Sequence, residues 1–207
     1  MGAEQRTIGV ILAGGTGSRV GLSIPKQLLK IAGKPVLEHT VALFQEADAI
    51  DEVMILMHPD HLAAAEGIAA RYPKVSRVVA GGDTRNESTM AALAALANAE
   101  DDTRVLFHDA VRPLLEIRII NDMVVALDHH DAVDVAIRSA DTIIEVNDSD
   151  EITSIPDRSR VRRGQTPQAF RLGTIREVYR RAWQDPDFVP TDDCSVTHRY
   201  MPEVPIL

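Results

Sequence analysis

The segment Ile8–Gln27 constrains the fold of this chain more than any other stretch, and it reads IGVILAGGTGSRVGLSIPKQ. It begins with a short apolar run that ends at Leu12, too short for a typical helix and rich enough in β-branched residues for a buried strand. Closely spaced glycines follow, and their missing side chains allow a tight turn and bring backbone N–H groups close to a ligand. Arg19 and Lys26 then add two positive charges. A strand, a glycine loop and cations in this order predict a cradle for phosphate groups.

Two common phosphate-binding motifs do not describe this loop. The P-loop ends in Gly-Lys followed by Ser or Thr, a combination that does not occur in the chain. The dinucleotide fingerprint G-x-G-x-x-G, started at Gly15, would need a glycine or alanine where Val20 stands. The loop instead resembles the opening motif A-G-G-x-G-[ST]-R, followed by P-K, of nucleotidyltransferases that activate sugars and polyols. An ordinary glycine turn with two solvated cations is the alternative, but such a turn does not need the third glycine or the Pro-Lys pair.

Composition limits the classes of protein to which the chain can belong. Its 207 residues suit one domain, and no apolar run is long enough to cross a bilayer. The N-terminal sequence MGAEQRT lacks the apolar segment of a signal peptide. The single cysteine, Cys194, suits a reducing compartment, and we assign it no chemistry. Because a net charge of −9 argues against broad nucleic-acid binding, we predict a cytoplasmic protein that binds neither nucleic acid nor membrane.

Short apolar runs and helical patterns alternate along most of the chain. Strands are predicted at 8–12, 52–57, 75–80, 104–108 and 133–137, and helices at 34–45, 61–72, 86–98 and 172–183. Residues 165–170 are predicted to return to the core, and an N-cap for a further turn or helix is predicted at 191–193. This alternation predicts an α/β fold with a Rossmann-like, mostly parallel sheet and helices on both faces. Ligands of such sheets bind beyond the carboxyl ends of the strands, where the glycine loop, Asp83 and Asp109 would converge.

The region 138–163 departs from this alternation, because it is polar, carries short alternating runs and lacks a predicted helix. We predict a β-hairpin arm that protrudes from a single domain covering residues 1–207. A mobile surface loop is the alternative. The arm is favoured because it carries four isoleucines that would otherwise remain exposed, namely Ile143, Ile144, Ile152 and Ile155. An arm of this kind would reach a partner subunit.

Further motifs occur in an order that resembles one family. They are Gly81-Gly82-Asp83 with Arg85 and Ser88, His108 to Pro113 (HDAVRP), Asp141-Thr142, Arg158, Gln165 to Phe170 (QTPQAF) and Thr191-Asp192. Together with the opening loop, they are similar in order and spacing to the cytidylyltransferases of the 2-C-methyl-D-erythritol 4-phosphate and ribitol-5-phosphate type. The resemblance runs from residue 7 to about 205, nearly the whole chain. It implies a nucleotidyltransferase domain.

The resemblance implies a reaction in which CTP and a polyol phosphate give a CDP-polyol and pyrophosphate. The substrate phosphate would attack the α-phosphorus in line, so the protein mainly positions two anions and stabilises added charge. The implied catalytic residues are Arg19, Lys26 and Arg158. The implied CTP-binding residues are Leu12, Ala13, Gly14, Gly15, Gly17, Gly82, Asp83, Ser88 and Ala110. The implied ligands of the polyol phosphate are Arg112, Thr142, Arg158, Thr166 and Thr191.

The same resemblance implies a metal ion and a partner. Asp109 is the implied ligand of Mg²⁺, a hard cation that prefers carboxylate and phosphate oxygens. Thr142 and Arg158 belong to the arm and would serve the site of a second subunit, so a homodimer is the expected unit.

Several of these residues also have simpler interpretations. Asp83 could instead cap the helix that follows it, and Asp109 could be a turn residue. Arg158 stands near three other arginines, so a solvated cluster is an alternative. His108 is interpreted as structural rather than as a base, because transfer to a phosphate nucleophile requires no proton removal.

Two features bear on the extent of the domain and on the substrate. The family pattern continues into a further strand and a helix with a lysine in an N-[IL]-K-[IV]-T segment, and we expect this C-terminal end of the domain to be missing from the chain. Segments such as 12–15 (LAGG) and 85–90 (RNESTM) favour ribitol 5-phosphate as substrate. 2-C-methyl-D-erythritol 4-phosphate is the alternative. A nucleotide-binding relative without catalysis is a second alternative, and a nicotinamide dehydrogenase is a more distant one.

Overall fold

A computed structural model describes residues 5–15, 24–185, 187 and 191–207. The strands are β1 (Thr7–Ala13), β2 (Lys30–Ile31), β3 (Lys34–Pro35), β4 (Glu52–Met57), β5 (Val75–Ala80), β6 (Arg104–Asp109), β7 (Ala132–Arg138), β8 (Glu145–Val146), β9 (Ile152–Ser154) and β10 (Arg162–Arg171). The helices are α1 (Val36–Glu46), α2 (Leu62–Ala69), α3 (Arg85–Ala95), α4 (Ile117–Ala126), α5 (Leu172–Ala182) and α6 (Asp193–Tyr200).

One six-stranded sheet forms the centre of the fold, in the order β5-β4-β1-β6-β10-β7. The first four of these strands are parallel to one another, and β10 runs antiparallel to both of its neighbours. The central strands β1 and β4 are buried along their whole length, as near-continuous apolar runs are when helices cover both faces of a sheet. The predicted α/β fold with a mostly parallel sheet is confirmed.

Helices cover both faces of the sheet, as predicted. One apolar layer packs α1, α2 and α4 against the sheet, and the other packs α3, α5 and α6. Gly9 shows how tightly the first layer is packed, because a Cβ atom added there would lie 2.3 Å from the Phe44 ring of α1. Helix α4 was not predicted from the sequence. It supplies the crossover that two strands of the same direction, β6 and β7, require.

The departure from strand–helix alternation at 138–163 is also present. β8 and β9 form a separate two-stranded antiparallel sheet between β7 and β10. Apolar side chains in and beside these strands are exposed in the single chain, with Ile144, Ile152 and Ile155 showing 49%, 58% and 60% of their surface. The arm therefore presents apolar surface that nothing within the described chain covers.

Two other features complete the fold. The short hairpin of β2 and β3 turns at Ala32 and Gly33, which both have positive φ, as a two-residue hairpin turn requires. The last residues extend the open edge of the sheet, since Ile206 forms a parallel bridge with Ala132 of β7. In the part of the chain that the structure describes, no helix has the length and apolar character needed to span a membrane.

Candidate active site

A cavity of about 270 Å³ lies at the carboxyl ends of β1 and β6, beside the first turn of α3. Among the described residues, ten line it, namely Leu12, Ala13, Gly14, Gly15, Lys26, Gln27, Arg85, Ser88, Asp109 and Val111. The sequence analysis named seven of these as CTP, catalytic or metal-binding residues, all except Gln27, Arg85 and Val111. Of the other residues in the predicted phosphate loop, Gly17 and Arg19 lie outside the described residues.

The glycine loop makes close backbone contact with the start of α3. A Cβ atom added to Gly14 would lie 2.6 Å from the Ser88 hydroxyl oxygen and 2.9 Å from the Gly82 carbonyl oxygen. The Ser88 hydroxyl oxygen accepts a hydrogen bond from the Gly82 backbone N–H at 3.2 Å. The structure therefore brings Gly82 and Ser88, both predicted to bind CTP, against the glycine loop.

Gln27 fixes the segment that carries Lys26. Its side chain is 1% exposed, and its amide nitrogen donates to the backbone carbonyls of Ala13 at 2.6 Å and Gly15 at 2.9 Å. These two bonds tie the Pro-Lys-Gln segment to the glycine loop, while the exposed Lys26 ammonium reaches the cavity. The sequence analysis assigned no role to Gln27. The signal that could have found it is its place directly after the Pro-Lys pair.

The residue that caps the start of α3 is not Asp83, the residue considered for this role in the sequence analysis. Thr84, not Asp83, is the N-cap, and its side chain accepts from the backbone N–H of Glu87 while Glu87 accepts from the Thr84 N–H. The hydrogen bond that the Thr84 backbone N–H donates to the Glu87 carboxylate lowers the pKa of Glu87. The interpretation of Asp83 as the helix cap is wrong, because the chain enters the helix one residue later. Asp83 is exposed and is not among the described residues that line the cavity.

Asp109 lies between two arginines at the end of β6. Its carboxylate accepts from Arg112 Nε at 2.9 Å, and its other oxygen lies 3.5 Å from Arg85 Nε. The backbone N–H of Asp109 donates to the Thr166 hydroxyl at 3.3 Å, so Thr166 of β10 also lies at this strand end. Arg112 in turn donates to the side chain of Gln165 at 2.8 Å. Arg112 and Thr166, both predicted to bind the polyol phosphate, are thus next to Asp109.

Arg85 forms an ion pair with a buried acidic residue. Asp193, the fully buried first residue of α6, forms a close ion pair with Arg85 and accepts from the Tyr179 hydroxyl at 2.6 Å. Burial alone would lower the pKa of Arg85, but the carboxylates of Asp193 and Asp109 outweigh it and raise the pKa above its ordinary value. Arg85 is therefore a fixed cation in the wall of the cavity.

His108 is a buried neutral residue beneath the site. One ring nitrogen contacts the Arg112 carbonyl at 3.1 Å and the other contacts the Thr166 hydroxyl at 3.0 Å. Because a carbonyl only accepts, Nε2 carries the proton and Nδ1 accepts from Thr166. Burial lowers the pKa of His108 to about 4. This geometry agrees with the structural role predicted for His108.

The remaining predicted site residues lie outside this cavity. Ala110 is buried behind it, where its N–H donates to the Leu12 carbonyl at 3.0 Å. Thr191 precedes α6 and donates to the Ser195 hydroxyl at 2.9 Å. Thr142 and Arg158 lie on the arm and are exposed. Neither of these two residues is among the described residues that line the cavity.

Comparison with known proteins identifies the family. The profile of the 2-C-methyl-D-erythritol 4-phosphate cytidylyltransferase family matches residues 7–206. The enzyme of that name from Thermobifida fusca is 48% identical over 98% of this chain and 84% of its own length. The ribitol-5-phosphate cytidylyltransferase of Lactiplantibacillus plantarum is 36% identical over 90% of this chain and 82% of its own length.

A bifunctional protein and a solved structure extend the comparison. The bifunctional ribulose 5-phosphate reductase/CDP-ribitol pyrophosphorylase of Haemophilus influenzae is 45% identical over 97% of this chain, which spans 43% of that protein. The crystal structure of 4-diphosphocytidyl-2C-methyl-D-erythritol synthase from Anaerococcus prevotii has a TM-score of 0.87 and 28% identity, and covers 98% of this chain and 87% of its own. The chain therefore belongs to the 2-C-methyl-D-erythritol 4-phosphate cytidylyltransferase family, whose members are nucleotidyltransferases.

Proposed function

We propose that this protein is a CTP-dependent cytidylyltransferase that converts a polyol phosphate to a CDP-polyol and pyrophosphate. The observation that carries the proposal is the cavity at the carboxyl end of the sheet, where backbone of the glycine loop meets Lys26, Arg85 and Asp109. Backbone N–H groups and fixed cations of this kind bind a triphosphate. The family membership supports the same activity.

The proposed reaction is a displacement at the α-phosphorus of CTP. An oxygen of the substrate phosphate forms the new bond to the α-phosphorus, while the bond to the β-phosphate bridging oxygen breaks and its electron pair leaves with pyrophosphate. Lys26, and Arg19 outside the described residues, would neutralise the charge that builds up on the triphosphate. No proton has to be removed from the attacking phosphate, which agrees with the neutral, buried His108.

The site fits a magnesium ion that is held mainly by its substrate. Among the described residues, no group of three or more His, Cys, Asp or Glu side chains could hold a metal on its own. A single carboxylate, Asp109, beside a triphosphate cavity suits Mg²⁺, which is usually bound through one or two carboxylates plus phosphate oxygens. When bound, the ion would neutralise phosphate charge and orient the triphosphate.

Two polyol phosphates are candidates for the substrate. The family profile and the Thermobifida fusca relative favour 2-C-methyl-D-erythritol 4-phosphate, whereas the Haemophilus influenzae and Lactiplantibacillus plantarum relatives favour ribitol 5-phosphate. The segments named in the sequence analysis also favour ribitol 5-phosphate. An assay in which the two compounds are offered separately distinguishes between these substrates.

Pyrophosphate release in the presence of CTP and Mg²⁺ tests the proposal. We expect release that depends on one of the two polyol phosphates, and the faster compound identifies the branch. A protein that only binds nucleotide would be protected against heat by CTP and would release no pyrophosphate with either compound. That outcome would contradict the proposal.

We also propose that the arm joins two subunits into a homodimer. Its exposed apolar residues support this arrangement, and among the described residues neither Thr142 nor Arg158 lines the cavity of its own chain. In the dimer, these two residues would contact the polyol phosphate bound to the partner subunit.

A further inference from the structure

The root of the arm contains a second, more polar cavity. It has a volume of about 610 Å³ and lies where β7 ends and β10 begins. Three arginines line it, Arg138, Arg158 and Arg162, together with one carboxylate, Asp157. Arg158 was expected to bind the substrate phosphate, but neither Arg138 nor Arg162 has been assigned a role.

The pairing of β7 and β10 places Arg138 and Arg162 directly opposite each other. Residues paired across an antiparallel ladder project from the same face of the sheet, with Cβ atoms about 5 Å apart. Like charges on directly opposite residues repel each other and destabilise the pair. Arg163, the next residue along β10, is paired with Ile137 and projects from the opposite face.

The positive charge of this cavity is not neutralised by the described chain. Most described arginines elsewhere pair with carboxylates, as Arg71 does with Glu38 and Arg199 with Asp185. Among the described residues, no carboxylate lies within ion-pair distance of the three arginines that line this cavity. In a protein with a net charge of −9, this local excess of positive charge is unusual.

Backbone contacts hold two of the guanidinium groups in place. Arg158 donates to the Ala140 carbonyl at 3.2 Å, and Arg162 donates to the carbonyls of Ser159 at 2.8 Å and Val161 at 2.9 Å. Each of these bonds uses only one terminal nitrogen of its guanidinium, so further N–H donors remain. The one acidic side chain, Asp157, accepts from the Ser159 N–H at 2.9 Å.

We infer that Arg138 and Arg162 complete, with Arg158, a subsite for the dianionic phosphate of the polyol substrate. The inference rests on the proposed function, and it adds two residues that determine affinity for the polyol phosphate rather than for CTP. A phosphate dianion between the paired arginines replaces their repulsion with charge-assisted hydrogen bonds, and a guanidinium can make two parallel bonds to phosphate oxygens.

Three single variants of the full-length protein test the inference. Arg138→Gln and Arg162→Gln each remove one charge of the pair, and Arg163→Gln is the matched control on the opposite face of the same strand. We expect the KM for the polyol phosphate to rise about tenfold in the first two variants, because one charge-assisted hydrogen bond to phosphate is lost. The KM for CTP should change less than about twofold. The control should match the wild type in both constants.

Thermal unfolding with inorganic phosphate gives a readout that does not depend on turnover. Without phosphate, Arg138→Gln should raise Tm by about 1 °C or more, because it relieves the repulsion between paired like charges. With phosphate, wild type and Arg163→Gln should be stabilised more than Arg138→Gln or Arg162→Gln.

The outcomes separate this inference from the proposed function. If no polyol phosphate is turned over but phosphate stabilises the variants in the expected order, the proposed reaction fails and the anion site stands. If turnover is present and Arg138→Gln, Arg162→Gln and Arg163→Gln have equal KM values and equal stabilisation by phosphate, the inference is wrong. An absence of stabilisation by phosphate in the wild type, with equal KM values in the variants, would also overturn it.

Discussion

At the scale of single residues, the cavity combines side chains that are fixed with side chains that can move toward a ligand. Gln27 and Arg85 are held by buried hydrogen bonds and an ion pair, respectively. Lys26 is exposed beside them, and Arg112 is also exposed but is bonded to Asp109 and Gln165. A site of this kind needs little rearrangement of its frame when the ligand binds, and the exposed cations supply the contacts that change.

The first prediction concerns Lys26. Replacing it with alanine removes a cation that faces the cavity without breaking a packed contact, so Tm should stay within about 1 °C of the wild type while turnover falls about 10²–10³-fold. Lys30→Ala, an exposed lysine in β2, is the control and should keep full turnover. Pyrophosphate release and a thermal melt measure the two effects. Near-normal turnover in Lys26→Ala would refute the role assigned to this residue.

The second prediction is a pH dependence of stability that comes from His108. The unfolded histidine takes up a proton near pH 6.5, whereas burial lowers the pKa of the folded one to about 4. The unfolded state therefore binds more protons between these values, and the free energy of unfolding should fall by up to about 3 kcal/mol as the pH falls through this window. Urea unfolding at pH 7 and pH 4.5 measures the change.

The matched variants for this prediction are His108→Gln and His129→Gln. The loss of stability between pH 7 and pH 4.5 should be smaller in His108→Gln than in the wild type. His129 is exposed, so its replacement should leave the pH dependence unchanged. The same pH dependence in all three proteins would show that His108 does not titrate in this way.

The residues of the site were predictable from sequence to different degrees. Lys26, Ser88 and Asp109 stand in motifs whose chemistry is visible from residue types and spacing, and the structure brings all three to one cavity. Gln27 was not found, because its role depends on carbonyl groups that the fold places beside it. The ion pair of Arg85 with Asp193 joins residues 108 positions apart, which local patterns do not reveal.

At the scale of secondary-structure elements, the end of β1 and the start of α3 form one close contact. Gly14 faces the Ser88 hydroxyl and the Gly82 carbonyl with no space for a side chain, whereas an added Cβ atom on Gly15 would meet no atom of the described residues within 4 Å. A side chain is therefore excluded at Gly14 but not at Gly15, although both glycines belong to the same loop.

The third prediction uses this difference. Gly14→Ala should destabilise the protein by about 1–3 kcal/mol, because its new methyl group forces β1 and α3 apart. Gly15→Ala is the matched control and should leave the free energy of unfolding within about 0.5 kcal/mol of the wild type. Urea unfolding of both variants measures the effect. Equal stability of the two variants would contradict the packing described for Gly14.

Elements with strong local patterns were predicted well, and those set by long-range pairing were not. The bounds of β4 and β5 agree with the sequence analysis to the residue, because each is a short apolar or β-branched run between clear breaks. Helix α4 was missed, and β10 was predicted only as a segment that returns to the core, without strand structure or direction. The buried residues of α4, Ile120, Met123 and Val124, stand at helical spacing, so this helix was predictable from its local pattern. The antiparallel direction of β10 depends on the strands beside it, which are distant in sequence.

At the scale of the whole molecule, the arm carries apolar side chains that the described part of a single chain leaves exposed. Its exposed isoleucines predict that the wild type is a dimer and that Ile152→Asp and Ile155→Asp weaken the dimer about 30-fold or more. Val125→Asp is the control, since Val125 is also exposed but lies on α4. Sedimentation over a range of concentrations measures the association. A wild type that stays monomeric at high concentration would contradict this arrangement.

The central claim is that the protein transfers the cytidylyl group of CTP to a polyol phosphate. Phosphorus NMR of a mixture of protein, CTP, Mg²⁺ and each polyol phosphate tests it most directly, because it identifies the products. We expect the monoester signal of the substrate and the signals of CTP to be replaced by those of a CDP-polyol and pyrophosphate in equal amounts. Unchanged CTP with both substrates, or conversion of CTP to CMP while the monoester remains, would contradict the claim.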